Sequence, residues 1–197
     1  MSASKSVSVS AAILAGGRSS RMGRDKAFLP LPPDGVPLIT RQATLLRSLG
    51  FDDLIISGRA GVDYGVPGAR VVTDTVVDAG PLAGLAAILA AAHHPWVLVI
   101  AVDLPHLTAA YLEKLLASGG GTTGVVPRGG GVYEPLVGLY PKKLLPVIET
   151  ALAVGRLSLQ PMLTAAVADG LLRPLAIETH EQVLFTKWNT PADVGNG

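Results

Sequence analysis

The segment Leu14 to Lys26 gathers groups suited to holding an anion. It reads Leu14-Ala15-Gly16-Gly17-Arg18-Ser19-Ser20-Arg21-Met22-Gly23-Arg24-Asp25-Lys26. Glycines at 16, 17 and 23 let a backbone approach a ligand closely and turn its N–H groups inward, as phosphate oxygens require. Arg18, Arg21, Arg24 and Lys26 place four cations within nine residues, where even spreading of the chain's sixteen Lys and Arg gives fewer than one. Two familiar phosphate loops are excluded. Gly17 and Gly23 are one residue too far apart for a Walker loop and Arg24 follows Gly23, while the adjacent Gly16 and Gly17 break the G-x-G-x-x-G fingerprint.

Two aspartates stand where they could complete such a site. Asp103 follows the apolar run Trp96 to Val102, and a hard oxygen ligand there suits magnesium bridging phosphate oxygens; the same residue could instead cap the turn into Leu104-Pro105. Asp74 follows Arg70 to Thr73 and is open to a ligand role or a turn role. The histidines His93, His94, His106 and His180 lack zinc-ligand spacing and have no cysteine partner, which points to surface or helix-end positions. Trp96, at a strand start, reads as core, and Trp188 either packs or lines a ring-binding pocket.

The elements that must position these residues alternate in period. Strands are expected over Val7 to Leu14, Leu54 to Ser57, Arg70 to Thr73 and Trp96 to Val102, with helices over Pro37 to Leu49, Leu82 to Ala92 and Thr108 to Ala117. Thr108 is a helix N-cap by type, and Gly50 stands where a helix C-terminal glycine belongs. Beyond Ser118 the rhythm weakens. Strands over Thr123 to Val126, Leu136 to Tyr140 and Leu171 to Ile177 accompany helices over Lys142 to Ala153 and Leu159 to Ala168, and Gly119 to Gly121 and Gly129 to Gly131 read as loops. The class is α/β: one Rossmann-like three-layer α/β/α domain over 1–197 with a mostly parallel sheet, which binds ligands beyond the C-terminal strand ends.

Composition narrows the function classes. A hydrophobic fraction of 49% with 16% charged residues excludes disorder, and a net charge of +1 argues against a general nucleic-acid binder. The absence of cysteine excludes thiolate ligands and a thiol nucleophile, and fits a cytoplasmic location. The uncharged stretch between Asp78 and Asp103 is long enough for a membrane span, but Gly80, Pro81, His93, His94 and Pro95 divide it into a helix and a strand, so no membrane contact is expected.

The loop resembles that of the molybdenum cofactor guanylyltransferases, within the nucleotidyltransferases that share L-A-G-G-x-x-x-R-M-G-x-x-K. The match runs through Leu14 to Gly17, Arg21-Met22-Gly23 and Lys26, then Asp74, Gly80-Pro81-Leu82-Ala83-Gly84, Asp103 with Pro105, Pro135-Leu136 with Tyr140, and Asn189-Thr190-Pro191 with Asp193. The resemblance implies the nucleotide-diphospho-sugar transferase type of fold and transfer of GMP from GTP to the phosphate of molybdopterin. It implies nucleotide contacts from Leu14, Ala15, Gly16, Gly17, Lys26, Ser57, Asp74, Pro81, Leu82, Ala83, Gly84 and Asp103, with Arg21 and Lys26 offsetting triphosphate charge. Mg²⁺ on Asp103 is implied too, with residues 7–117 serving the nucleotide, 118–197 the acceptor, and transient protein partners in cofactor delivery. L-A-G-G and P-L-A-G favour guanine over cytosine. The sequence departs from the pattern at Ala101-Val102 (often Pro-Cys), at Glu134 (often Gln or His) and at Lys187 (often Asn), and Ser57-Gly58 lies near the family's polar contact after the second strand.

Overall fold

In a computed structural model the chain is described over residues 9–16, 25–73, 79–119 and 121–188. Strand β1 (Val9–Leu14) is buried along its length, and its side chains alternate between two apolar layers. Val9, Ala11 and Ile13 join Leu54, Ile56, Leu98 and Ile100 on one face, while Ala12, Leu14, Ile55, Val97 and Val99 form the other. That division follows from the two-residue repeat of a strand, and burial on both faces explains why these strands read as unbroken apolar runs.

A short hairpin of β2 (Pro30–Leu31) and β3 (Val36–Pro37) leads into α1 (Leu38–Ser48), which packs on the first face with α3 (Ala109–Ser118). Gly50 closes α1 at φ +80°, its N–H donating to Arg47, and the Thr108 hydroxyl caps α3 by accepting from the Tyr111 N–H. The second face carries α2 (Pro81–Ala91), α4 (Leu145–Ala153) and α5 (Leu159–Ala168). Between them run β4 (Leu54–Gly58), β5 (Arg70–Thr73), β6 (Trp96–Ala101), β7 (Gly124–Gly129), β8 (Val132–Tyr133), β9 (Val137–Pro141) and β10 (Leu172–Ala176).

The sheet order is β10-β7-β9-β6-β1-β4-β5, with β8 paired to β7. β1 runs parallel to β4 and β6, β4 to β5, and β7 to β10; β9 runs antiparallel to both β6 and β7. The mostly parallel expectation therefore holds, with β9 reversed inside the sheet and the short β8 reversed beside β7. The loop expected over Gly129 to Gly131 is the two-residue turn of the β7–β8 hairpin, where Gly130 and Gly131 supply positive φ and Gly129 ends β7. The expected helix from Lys142 begins as a 3-10 turn over Lys142–Leu144 and becomes α4 at Leu145. A 3-10 helix over Thr179–Phe185, not anticipated, is closed by a capping box between Glu178 and Glu181.

Candidate active site

The register brings the ends of three strands level. Leu14 pairs with Ser57 of β4 and with Ala101 of β6, so the residues just beyond, Ala15-Gly16 and Val102-Asp103, emerge at one edge of the sheet. The edge is tied together by main-chain bonds: the N–H groups of Ala15 (2.8 Å) and Gly16 (2.9 Å) both donate to the Ser57 carbonyl, and the Val102 N–H donates to Leu14 (3.0 Å). Both amides at the start of the loop are thus turned back into the sheet. A Cβ at Gly16 would meet the Ser57 carbonyl at 3.7 Å, an ordinary contact, so the fold places no demand on glycine there.

Lys26 is positioned by its neighbours. Asp25 caps a 3-10 turn over Lys26–Phe28, accepting from the Ala27 N–H at 3.1 Å, while Ala27 is buried and the Phe28 ring stacks on Tyr64 at 5.7 Å. From this anchored turn the Lys26 ammonium reaches to 3.5 Å from the Asp103 carboxylate. Both side chains are partly exposed, 28% and 17%, so the pair contributes no more than ~1 kcal/mol to folding. Its charges remain at the sheet edge.

Asp103 sits in a turn held from two sides. The buried Gln42 of α1 donates its amide to the Leu104 carbonyl (2.7 Å) and the Ala101 carbonyl (3.4 Å), and Arg41 donates to Leu107 (2.9 Å). From the far end of the chain, the Trp188 N–H donates to the Asp103 carbonyl at 2.9 Å. Trp188 is itself buried, edge-on to His106 at 5.7 Å, so it packs as part of the core.

The 3-10 helix before Trp188 is pinned by Glu181, which is buried and accepts from Lys114 at 2.6 Å and from the Glu178 N–H at 3.0 Å. Burial would raise the Glu181 pKa, but the Lys114 hydrogen bond, the Glu178 N–H and the charges of Lys114 and His180 outweigh it and hold the pKa down.

The other expected positions fall into two groups. Leu14, Ala15, Ser57, Leu82, Ala83 and Gly84 are buried, which confines their contribution to backbone and shape, whereas Gly16 and Pro81 are exposed. Gly80 aims α2 at φ +64°, ψ −154°, a conformation confined in practice to glycine. Gly17, Arg18, Arg21, Arg24, Asp74, Asn189, Thr190, Pro191 and Asp193 lie outside the described residues. Gln42 was missed, although its signal was present: a carboxamide inside the helical apolar stripe Leu38, Ile39, Ala43, Leu46 demands a buried partner. The other histidines stand at the surface or at element ends: His93 beside Asp53 (3.5 Å), His94 beside Asp52 (3.2 Å), His180 beside Glu178 (3.7 Å).

Residues 11–184 match the family model of the MobA-like NTP transferase domain. The chain belongs to the MobA-like NTP transferases. It is 39% identical over 196 residues to a protein of Opitutus terrae named "Probable molybdenum cofactor guanylyltransferase", with 98% of this chain and 96% of that protein covered. To the molybdenum cofactor guanylyltransferase of Pseudomonas putida it is 41% identical, covering 81% of this chain and 84% of the relative. The crystal structure of molybdopterin-guanine dinucleotide biosynthesis protein A from Archaeoglobus fulgidus superposes with a TM-score of 0.71 at 23% identity, covering 95% of each chain. That likeness shows the shared fold. This MobA-like transferase is accordingly a nucleotidyltransferase, and among its described residues no helix is long and apolar enough to cross a membrane.

Asp103 also bears on a metal. The described residues contain no group of three or more His, Asp or Glu able to cage an ion by themselves. Mg²⁺ needs no such cage when substrate phosphates complete its shell, because one or two carboxylates suffice. A single half-shielded carboxylate at the strand edge fits that requirement.

Proposed function

We propose that this nucleotidyltransferase moves GMP from GTP onto the phosphate of molybdopterin and releases pyrophosphate. The observation that carries the reading is the opposed pair Lys26 and Asp103, 3.5 Å apart beyond the ends of β1 and β6. A cation for phosphate oxygens and a carboxylate for a hard metal stand side by side where this sheet binds ligands. The relatives' names supply the guanylyl group and the molybdenum cofactor.

In this reaction a phosphate oxygen of the acceptor attacks the α-phosphorus of GTP in line, a new P–O bond forms, and the α–β bridging P–O bond breaks with its electron pair leaving on pyrophosphate. The nucleophile is already anionic, so no strong general base is required, and catalysis rests on placement and charge neutralisation. Lys26, with Arg21, offsets negative charge on the triphosphate. Asp103 would hold Mg²⁺, which when bound neutralises the phosphate oxygens. Leu14 to Gly17, Ser57, Asp74 and Pro81 to Gly84 surround the nucleotide, and the acceptor lies on the side built from residues 118–197. We read the enzyme as cytoplasmic, as its lack of cysteine fits, with transient protein partners receiving the product.

The test is pyrophosphate release from GTP, Mg²⁺ and molybdopterin, run beside CTP and beside sugar phosphates as acceptors. Release that requires GTP and molybdopterin together supports the assignment. Equal rates with CTP would overturn the guanine preference, and release with a sugar phosphate instead would overturn the acceptor.

A further inference from the structure

The antiparallel strand β9 brings a second charged pair to the same edge. Val137, the first residue of β9, pairs with Ile100, one residue before the end of β6, so the turn Glu134–Leu136 enters the sheet at the end from which Asp103 leaves it. Its backbone is fixed: the Glu134 N–H donates to Pro127 (2.8 Å), the Val137 N–H to the Glu134 carbonyl (3.3 Å), and the Tyr140 hydroxyl to the Pro135 carbonyl (2.7 Å). From the other side comes Lys187, one residue before the Trp188 N–H that holds the Asp103 carbonyl. The Lys187 ammonium stands 3.6 Å from the Glu134 carboxylate. The two positions are both departures from the family pattern, and each supplies the other's counter-charge.

This pair is built to exchange. At 3.6 Å it is beyond hydrogen-bond length, and the side chains are 41% and 25% exposed, so water competes for both charges. Glu134 and Lys187 have anchored backbones but long, solvated ends, which lets the ammonium swing while its root stays fixed. An arriving phosphate carries more negative charge than a carboxylate and offers more acceptor oxygens.

We infer that Lys187 is an acceptor-binding residue held in reserve by Glu134: when the acceptor's phosphate enters beside Asp103, the ammonium leaves the Glu134 carboxylate for a phosphate oxygen. The inference rests on the acceptor reading given above. Glu134 then has two effects. It keeps the cation from capturing stray anions, and its own charge repels a phosphate not yet paired with Lys187, so it tunes acceptor affinity downwards.

The experiment compares Lys187→Gln, Glu134→Gln and the exchanged double variant Glu134→Lys with Lys187→Glu. Thermal midpoints are measured with initial rates of pyrophosphate release, once against molybdopterin at saturating GTP and once against GTP at saturating molybdopterin. Lys187→Gln is expected to raise the KM for molybdopterin about tenfold, as for loss of a charge-assisted contact, while the KM for GTP and the thermal midpoint stay near wild type. Glu134→Gln is expected to lower that KM, and an unchanged value would remove Glu134's tuning role. The exchanged variant keeps the pair but not the cation's position, and is expected to bind the acceptor as poorly as Lys187→Gln.

An unchanged molybdopterin KM in Lys187→Gln would overturn the inference. So would equal losses in both single variants that the exchange restores, since that pattern marks a structural brace. Absence of wild-type turnover with GTP and molybdopterin would instead refute the reaction itself, a separate result.

Discussion

The side-chain amide of Gln42 and the main-chain carbonyl of Leu104, 62 residues apart in sequence, lie 2.7 Å from each other in the buried space between α1 and the turn that carries Asp103. The same amide reaches Ala101. One carboxamide thus fixes both shoulders of that turn.

Replacing Gln42 by Met keeps the volume but leaves the Leu104 carbonyl without its donor. The expected loss is about 1–3 kcal/mol of stability, the cost of an orphaned buried acceptor. Pyrophosphate release should fall further than the unfolded fraction explains, because the Asp103 turn loosens. Urea unfolding run beside kinetics on the folded protein checks both. Full activity in a destabilised variant would show that the turn holds its shape without Gln42.

Lys26→Ala should weaken GTP binding about tenfold or more, some 1.4 kcal/mol, the loss of one charge-assisted contact. Stability should barely change, since the pair with Asp103 is partly exposed. Calorimetric titration of GTP into the folded variant decides, and wild-type affinity would move the phosphate site away from Lys26.

Asp103→Asn separates metal ligation from turn structure. The bond from the Trp188 N–H is to the main-chain carbonyl and survives the change, and Asn retains the side chain's size. Activity should collapse with the melting midpoint nearly unchanged, because a hard divalent cation requires the negative charge. Near-normal turnover at ordinary magnesium concentration would refute the assignment.

Two glycines at this edge answer to different demands. Gly80 occupies φ +64°, ψ −154°, so Gly80→Ala should cost about 1–3 kcal/mol of stability. Gly16 is exposed and has ordinary room for a Cβ, so Gly16→Ala should fold like the wild type. A loss of GTP affinity there would reflect crowding of the ligand itself. Thermal melts with and without GTP distinguish the two, and a folding defect at Gly16 would contradict the local geometry.

At the opposite end of the sheet, buried Asp53 accepts from the Ser10 hydroxyl (2.5 Å), the Arg70 guanidinium (2.5 Å) and the His93 N–H (3.0 Å). Burial would raise its pKa, but these hydrogen bonds and the Arg70 charge win and hold it below the ordinary value. The folded pKa lies under the unfolded one, so the stabilisation is complete above about pH 3.9 and is lost as pH falls through the folded value. Asp53→Asn should cost about 2 kcal/mol at neutral pH and flatten the acid limb of a stability-against-pH curve. An acid limb unchanged in the variant would assign it to other carboxylates, Glu181 foremost.

The parallel half of the fold was legible because β1, β4 and β6 are buried on both faces, which writes them as continuous apolar runs with a ligand loop at their ends. The sheet's later half was not. β9 reads as a strand, but nothing in Val137 to Pro141 states its direction, and that direction is what puts the turn carrying Glu134 at the same end of the sheet as Asp103. Lys187 was visible as a break in a pattern, and its partner was visible as another. Their meeting depends on two crossings of the sheet that no local spacing encodes. The Thr179–Phe185 turn escaped for a related reason: its stability comes from the capping box and from Lys114 across the fold, more than from periodicity.

The bond from the Trp188 N–H to the Asp103 carbonyl spans 85 residues, and it gives the site a timetable. During synthesis β1, β4, β5 and β6 can pair as soon as residue 101 is clear of the ribosome, leaving the Lys26 edge assembled around a turn secured on one side only. The support from Trp188 arrives after nearly the whole chain has been made, at ordinary elongation rates several seconds later. A nascent chain therefore completes the strand edge beside Lys26 before the Asp103 turn gains its second support.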